Sequence, residues 1–408
     1  MPNSGFAKLF SWSAIAITAL IAIVGSLLFY RYSVFQSMLS DLRKNGEKLS
    51  IQEYAHDVED DNNDAAFFLN AAFRDIVAVT TAIYDVGEPP IYGPLSTEMT
   101  DRFDELMKEH DDLIANLCNA AKASDISVSI DSPVTINYGS NNLPFRGASR
   151  ILAWQAKVLA ETGKTDEAIE NCFRIFKIAR HSDQYPTISE FQTSAVGCRW
   201  IALSALHDIL SRTVVSDTTR SKIHTLLESI DLTSNYTDAL ASERAYGLDL
   251  VMGKEGHLPA AYIVFGKEYL ETMAKGIQQS QLPMTTELPK PEYVDVSTNV
   301  RWFGPNLESM FYESRNIVGN LQARVRALRI ISALQTDPAS DRRTEFSQEY
   351  LIGLGVPEGM TTDVFSERTF SISRIDNHWK VYSWGADRKD DGGSIQDRLD
   401  VGMYPSSQ

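Results

Sequence analysis

Leu9 to Tyr30, LFSWSAIAITALIAIVGSLLFY, is an uncharged run with Trp12 near its start and Tyr30 and Tyr32 at its end. As a helix rising about 1.5 Å per residue it measures roughly 33 Å, enough to cross a hydrocarbon core of about 30 Å. A secretory signal has a shorter apolar core followed by a small-x-small cleavage site. Gly25-Ser26 is the only candidate cut, and Leu27, Leu28 and Phe29 follow it directly. The run therefore reads as a retained transmembrane helix over 9–30. Hydrophobicity on every face and aromatic ends set it apart from a buried globular helix. Lys8 flanks one side and Arg31, Arg43 and Lys44 the other, so charge alone does not orient the span. A short tail before a single span favours a cytoplasmic tail at 1–8. The bulk is then expected outside the cytoplasmic (inner) membrane.

The rest of the chain is long enough for a sizeable core in two or more packed units. Lys plus Arg total 38 against 54 Asp plus Glu, a net charge of −16, and there is no basic tract. Nucleic acid is therefore not an expected partner. Cys118, Cys172 and Cys198 lie far apart with no C-x-x-C pair, which argues against a disulfide framework or thiolate zinc site. One Cys172–Cys198 bridge and three buried thiols both remain open.

Residues 31–64 read as a stem and an acidic lead-in. Val34, Phe35, Met38, Leu39 and Leu42 continue the helix past the membrane. The acidic run His56 to Asp64 lacks the Gly and terminal Glu of an EF-hand loop and reads as carboxylates near a helix N-terminus. A helical domain is expected over 65–278. It opens with one helix over Ala65 to Tyr84, stopped by Gly87-Glu-Pro-Pro-Ile-Tyr-Gly-Pro94. A second helix, capped by Ser96 or Thr97, runs to about Ala123 with an exposed His110. Alternation over Ile126 to Phe145 suggests a strand or extended excursion ending in a Gly-Ser-Asn-Asn turn. From Gly147 onward, Trp154, Leu159, Ala160, Gly163, Glu167, Ala168, Ile169 and Phe173 resemble a tetratricopeptide hairpin, without a second copy at the expected period. Further helices are expected near Ile188–Thr213, Ser216–Ile230, Ser234–Met252 and His257–Gln278, then a linker over 279–302. Asn235-Tyr-Thr237 matches a glycosylation sequon.

No motif of nucleophile and base, phosphate loop, dinucleotide fingerprint or histidine metal pair is present. Ser242-Glu-Arg-Ala-Tyr246 and Arg324-Val-Arg-Ala-Leu-Arg329 are candidates to line a cleft, but their charges are expected as solvated surface pairs. Residues 303–408 read as a long helix and a small β module. There Trp379-Lys-Val-Tyr382, a strand, leads into Ser383-Trp-Gly-Ala-Asp-Arg-Lys-Asp-Asp-Gly-Gly393, with Asp397 and Asp400-Val401 beyond. A Gly-rich turn presenting carboxylates and carbonyls suits a hard cation.

Tyr-Ser-x-Gly-x-Asp, then Asp-Asp-Gly-Gly and a later Asp-Val, resembles the C-terminal loop of type II secretion major pseudopilins. The long helix from Asn306 to Thr336 and Asp363-Val-Phe365 add to the likeness. The whole arrangement is similar to a planctomycete-type family of single-pass membrane proteins, with Asn63-Asp-Ala65-Ala66 at the corresponding helix start. The pseudopilin resemblance implies calcium, Ca2+, held by Asp387, Asp391 and Asp400 with Ser383 as a carbonyl donor. Gly5-Phe6 matches a pseudopilin leader, but Phe10 stands where the mature helix carries Glu, so fibre assembly is not implied.

The expected fold is mainly α: an N-terminal transmembrane helix, a helical-hairpin (TPR-like) body and a small α+β C-terminal module. The expected function is a membrane-anchored extracytoplasmic structural or protein-binding scaffold of the bacterial cell envelope, with other envelope proteins as partners. The alternatives are a membrane-anchored enzyme with an unrecognised helical active site and a secretion-pseudopilin relative.

Overall fold

The computed structural model describes residues 4–91, 93–130, 144–252, 260–291, 305–375, 378–393 and 400–404. The Gly-Ser-Asn-Asn turn, Asp397 and the second half of the expected linker, 292–302, lie outside these residues. The chain is mainly helical, with one apolar N-terminal helix and a small C-terminal sheet.

Helix α1, Ser4–Lys44, is long and apolar enough to cross a membrane. Its side chains over 15–30 are exposed, and the same helix then enters the body. Phe35 and Leu39 are buried, with Met38 and Leu42 packed beside them, a spacing of three and four that places all four on one face. The run continues into a core helix without a hinge, as the apolar periodicity predicts.

Asp60 and Asp64 both cap helical turns, and Asp64 Oδ1 accepts from the Ala66 and Ser127 amides at the start of α2, Ala65–Ala71. The single helix expected over Ala65 to Tyr84 is divided. α3, Phe73–Val86, leaves α2 at 56° across Ala72, so that α2 lies on α5 and α3 on α6. Ser96 caps α4, Thr97–Glu109, through the Met99 amide. This helix also ends early, and α5, Leu113–Lys122, follows a turn at His110. That histidine is half-buried, with Nδ1 2.9 Å from Asp75 on α3, rather than exposed. Over 126–130 the chain is extended, bridging His56 through Val128.

α6, Phe145–Glu161, and α7, Thr165–Ser182, form the expected antiparallel hairpin. Gly163 turns the chain at φ 79°, a conformation side chains resist. A short turn α8, Ile188–Glu190, and a π-helical stretch, Phe191–Val196, lead into α9, Gly197–Arg212, which lies across both hairpin helices. α10, Asp217–Glu228, α11, Leu232–Met252, and α12, Ala260–Ser280, complete the body, and α12 packs on α1. The sequon residue Asn235 sits inside α11 with its amide donated to Asp183, not in a loop. Cys118, Cys172 and Cys198 are free thiols, the last two buried.

α13, Pro305–Leu334, packs against α9 to α12 and carries the C-terminal module on its other side. After α14, Gln348–Gly353, strands β1, Ser371–Ile375, β2, His378–Ser383, and β3, Val401–Met403, form an antiparallel sheet in that order. Ile372 faces Val381 across the first pair and Val381 faces Met403 across the second, which puts the buried side chains on α13.

The junction between anchor and body depends on the absence of a side chain at Gly266. A Cβ there would lie 2.8 Å from the Phe35 ring. Gly266→Ala is expected to cost about 1–3 kcal/mol by overpacking. Combined with Phe35→Ala, it should cost clearly less than the sum of the two single changes, because the cavity accepts the methyl group. Denaturant unfolding in detergent checks this double-mutant cycle.

Candidate functional site

Arg146, Arg150, Trp154 and Lys157 are spaced by four, four and three residues, which places them along one face of α6. Opposite them stand Trp200, Ile201 and Ser204 on α9, Gln192 and Val196 on the π-helical stretch, and Asn320 and Arg324 on α13. Tyr84 at the end of α3 and the chain Glu88-Pro-Pro-Ile91 close the remaining side. Together they enclose a pocket of about 470 Å³, within the range typical of small-molecule sites. The extra turn width of a π segment is often found at functional sites. Here it separates Phe191 and Ala195, which enter the core, from Gln192, which faces the pocket.

Lys157 builds the wall rather than facing a ligand. It is 3% exposed, and its Nζ donates to the carbonyls of Pro90, Ile91 and Gly93 at 2.6, 3.1 and 3.0 Å. The Gly93 amide in turn donates to Asp208 Oδ1 at 2.7 Å, and Asp208 is ion-paired with Arg212. Burial lowers the Lys157 ammonium to about 8, while the Asp208 carboxylate favours its charge. Three carbonyl acceptors need the charged form, so a proline-rich loop that would otherwise float is pinned across the mouth.

The arginines are differently placed. Arg324 stacks its guanidinium 3.3 Å from the Trp200 ring centre, and Arg150 lies 5.5 Å from that of Tyr84. Arg146 lies along Gly197, where its Nε would be 3.4 Å from an added Cβ. Among the described residues no carboxylate pairs with Arg146 or Arg150, and Glu88 is the one carboxylate lining the pocket. Two buried lining atoms, Ser204 Oγ and Asn320 Oδ1, have no hydrogen-bond partner. Three guanidiniums, three aromatic rings and unspent polar atoms can hold an anionic group against a flat surface. A second groove of similar size, lined by Phe73, Val77 and Thr80, shares Tyr84 and Arg150 with the pocket.

The two charged segments singled out in the sequence divide. Arg324 reaches the pocket, but Arg326 donates to the Thr362 carbonyl, and Arg329 is buried against Glu228 and the Gly355 carbonyl. Arg244 is buried with Glu47, and Glu243 holds the Ile188 amide at the start of α8. Burial pushes the Glu243 carboxyl up to about 7. These groups are interior struts, not the solvated surface pairs expected, because the helices carrying them are covered on both sides.

In the C-terminal loop the four candidate ion ligands are not gathered at one point. Ser383 is buried, and its hydroxyl donates to Asp363 Oδ1 at 2.6 Å. Asp387 is exposed and accepts from the Lys389 amide within its own turn. Asp391 is exposed, while its amide and that of Gly393 both donate to Asp400 Oδ2. Asp400 Oδ1 is buried without a partner, and burial raises its proton affinity. Among the described residues no three His, Cys, Asp or Glu side chains converge as metal ligands. Asp363 organises this corner, accepting from the Phe365 and Trp384 amides and from Ser366 and Ser383.

Compared with family models, curated proteins and solved structures, the chain has no significant match.

Lys157→Met keeps the stem but leaves three carbonyls without their donor. A loss of about 1–3 kcal/mol is expected, with faster hydrogen exchange at the Gly93 amide; unchanged exchange there would show that the loop is held by other contacts.

Proposed function

We propose that the chain is a membrane-anchored extracytoplasmic binding protein of the cell envelope, a receptor or scaffold rather than a catalyst, that recognises its partner through the pocket between α6, α9 and α13. The observation that carries this reading is the lining itself: among the described residues, three arginines and three aromatic rings stand around one carboxylate, in a protein of net charge −16. Such a wall recognises anions. A membrane-anchored enzyme would need a nucleophile with its base, or paired carboxylates, at the pocket, and the described lining residues offer neither. A pseudopilin-related component is the weaker reading, since Phe10 stands where fibre assembly needs a carboxylate. In this reading α1 anchors the chain in the cytoplasmic membrane by a single pass, with other envelope proteins or their ligands reaching the pocket from outside.

Native mass spectrometry of the detergent-extracted full chain tests the reading. The wild type is expected to retain a bound molecule or protein that the Arg146→Gln/Arg150→Gln double variant loses. Equal retention by a folded variant would sink it.

A second reading concerns the C-terminal loop. The unpartnered Asp400 Oδ1, with exposed Asp390 and Asp391 close by, supports a calcium ion held by Asp400 together with backbone carbonyls and water. Binding to the native state alone must raise stability. Millimolar calcium is expected to raise the melting temperature of the wild type and not that of Asp400→Asn. An unmoved wild-type melt removes the site.

A further inference from the structure

A smaller cavity, sharing no lining residue with the pocket between α6, α9 and α13, lies where α11, α12 and α13 meet the stretch that follows α12. Glu308, Phe311, Tyr312 and Arg315 line it from one face of α13, at spacings of three, one and three. Gly276 lets α12 approach that face, since a Cβ there would lie 2.5 Å from the Phe311 ring. The cavity measures about 160 Å³, room for about five waters at ~30 Å³ each.

Arg315 is the unusual member. It is 6% exposed, and its terminal nitrogens donate to the Thr286, Leu282 and Pro283 carbonyls at 3.3, 3.4 and 2.6 Å. Its Nε is buried without a partner, and among the described residues no carboxylate pairs with it. Burial lowers its pKa, yet a guanidinium keeps its proton inside a protein. A buried charge is ordinarily paired or ligated. The other charges at the cavity are met elsewhere: Lys275 Nζ is 2.8 Å from Glu308 Oε1, and Lys290 is exposed to water. The one desolvated charge is that of Arg315. Leu288, Pro289, Pro291 and the Phe311 ring add apolar lining. The Glu308 carboxylate, also in the lining, opposes a second negative charge on any occupant.

We propose that this cavity binds a small monocarboxylate with a short aliphatic body, of the size of butyrate, its carboxylate paired with Arg315. The site stands apart from the binding-protein reading above and does not depend on it.

Butyrate, acetate, n-butanol, succinate and inorganic phosphate are the probes, titrated calorimetrically into the full chain in detergent with the melting temperature as a second readout. Butyrate is expected to bind saturably, one per chain, and to raise the melting temperature. Acetate, two methylenes shorter, should bind about tenfold more weakly, and butanol, without the charge, should not bind. Arg315→Lys, which lacks the Nε donor, should weaken butyrate about tenfold or more, and Arg315→Gln should abolish saturable binding. Both changes also loosen the Leu282 to Thr286 carbonyls. Leu288→Trp leaves those bonds in place and fills the cavity, so it should block butyrate while melting near the wild type. No saturable binding of butyrate by the wild type overturns the assignment. So does phosphate, succinate or butanol binding as tightly as butyrate, or full affinity in Leu288→Trp or in a folded Arg315→Gln.

Discussion

A buried ammonium must find acceptors or lose its proton, and Lys157 finds three in one stretch of backbone. That demand shapes the pocket. The loop after α3 contains Pro89 and Pro90, which have no amide proton to give the interior of a helix or sheet. It is held by carbonyls on Lys157 and by the Gly93 amide on Asp208, a carboxylate with no exposure at all. Lys157 comes from α6 and Asp208 from α9, so the loop is fastened to both helices whose arginine and tryptophan side chains form the walls. The hairpin of α6 and α7 and the crossing helix α9 thus do more than build a core; they fix where the mouth lies.

Much of the architecture is legible in residue pattern because it follows from local rules. The apolar run and its continuation through Phe35 and Leu39 specify one long helix, Ser96 specifies a cap, Gly163 a reversal and Trp379 to Tyr382 a strand. The misses come where tertiary contact overrides periodicity. Ala72 has every local reason to continue a helix, yet the chain bends there so that Leu69 and Ile76 can be buried against different partners. His110 gains a partner thirty-five positions away that no window can register.

The site was less legible for the same reason. Arg146 and Arg150 precede the informative residues of the hairpin and look like ordinary surface charges. Only their spacing with Trp154 and Lys157 hints at a functional stripe, and its meaning requires α9 and α13 on the opposite side. Arg324 is distinguished from Arg326 and Arg329 by direction around a helix buried on several faces, which charge spacing alone does not resolve. In the C-terminal module the density of Asp residues draws the eye to the loop, whereas among the described residues the carboxylate with the most partners there is Asp363, before the strands.

The unbroken course of α1 has a mechanical consequence. Between Tyr30 and Lys44 it rises by roughly 21 Å as a helix, with Phe35 and Leu39 locked into the body on the way. No swivel separates the apolar segment from the core. Torque and tilt applied to one end are therefore delivered to the other, and the body keeps a set distance and bearing relative to the apolar segment. The mouth of the pocket is held at constant range from that segment instead of swinging on a tether.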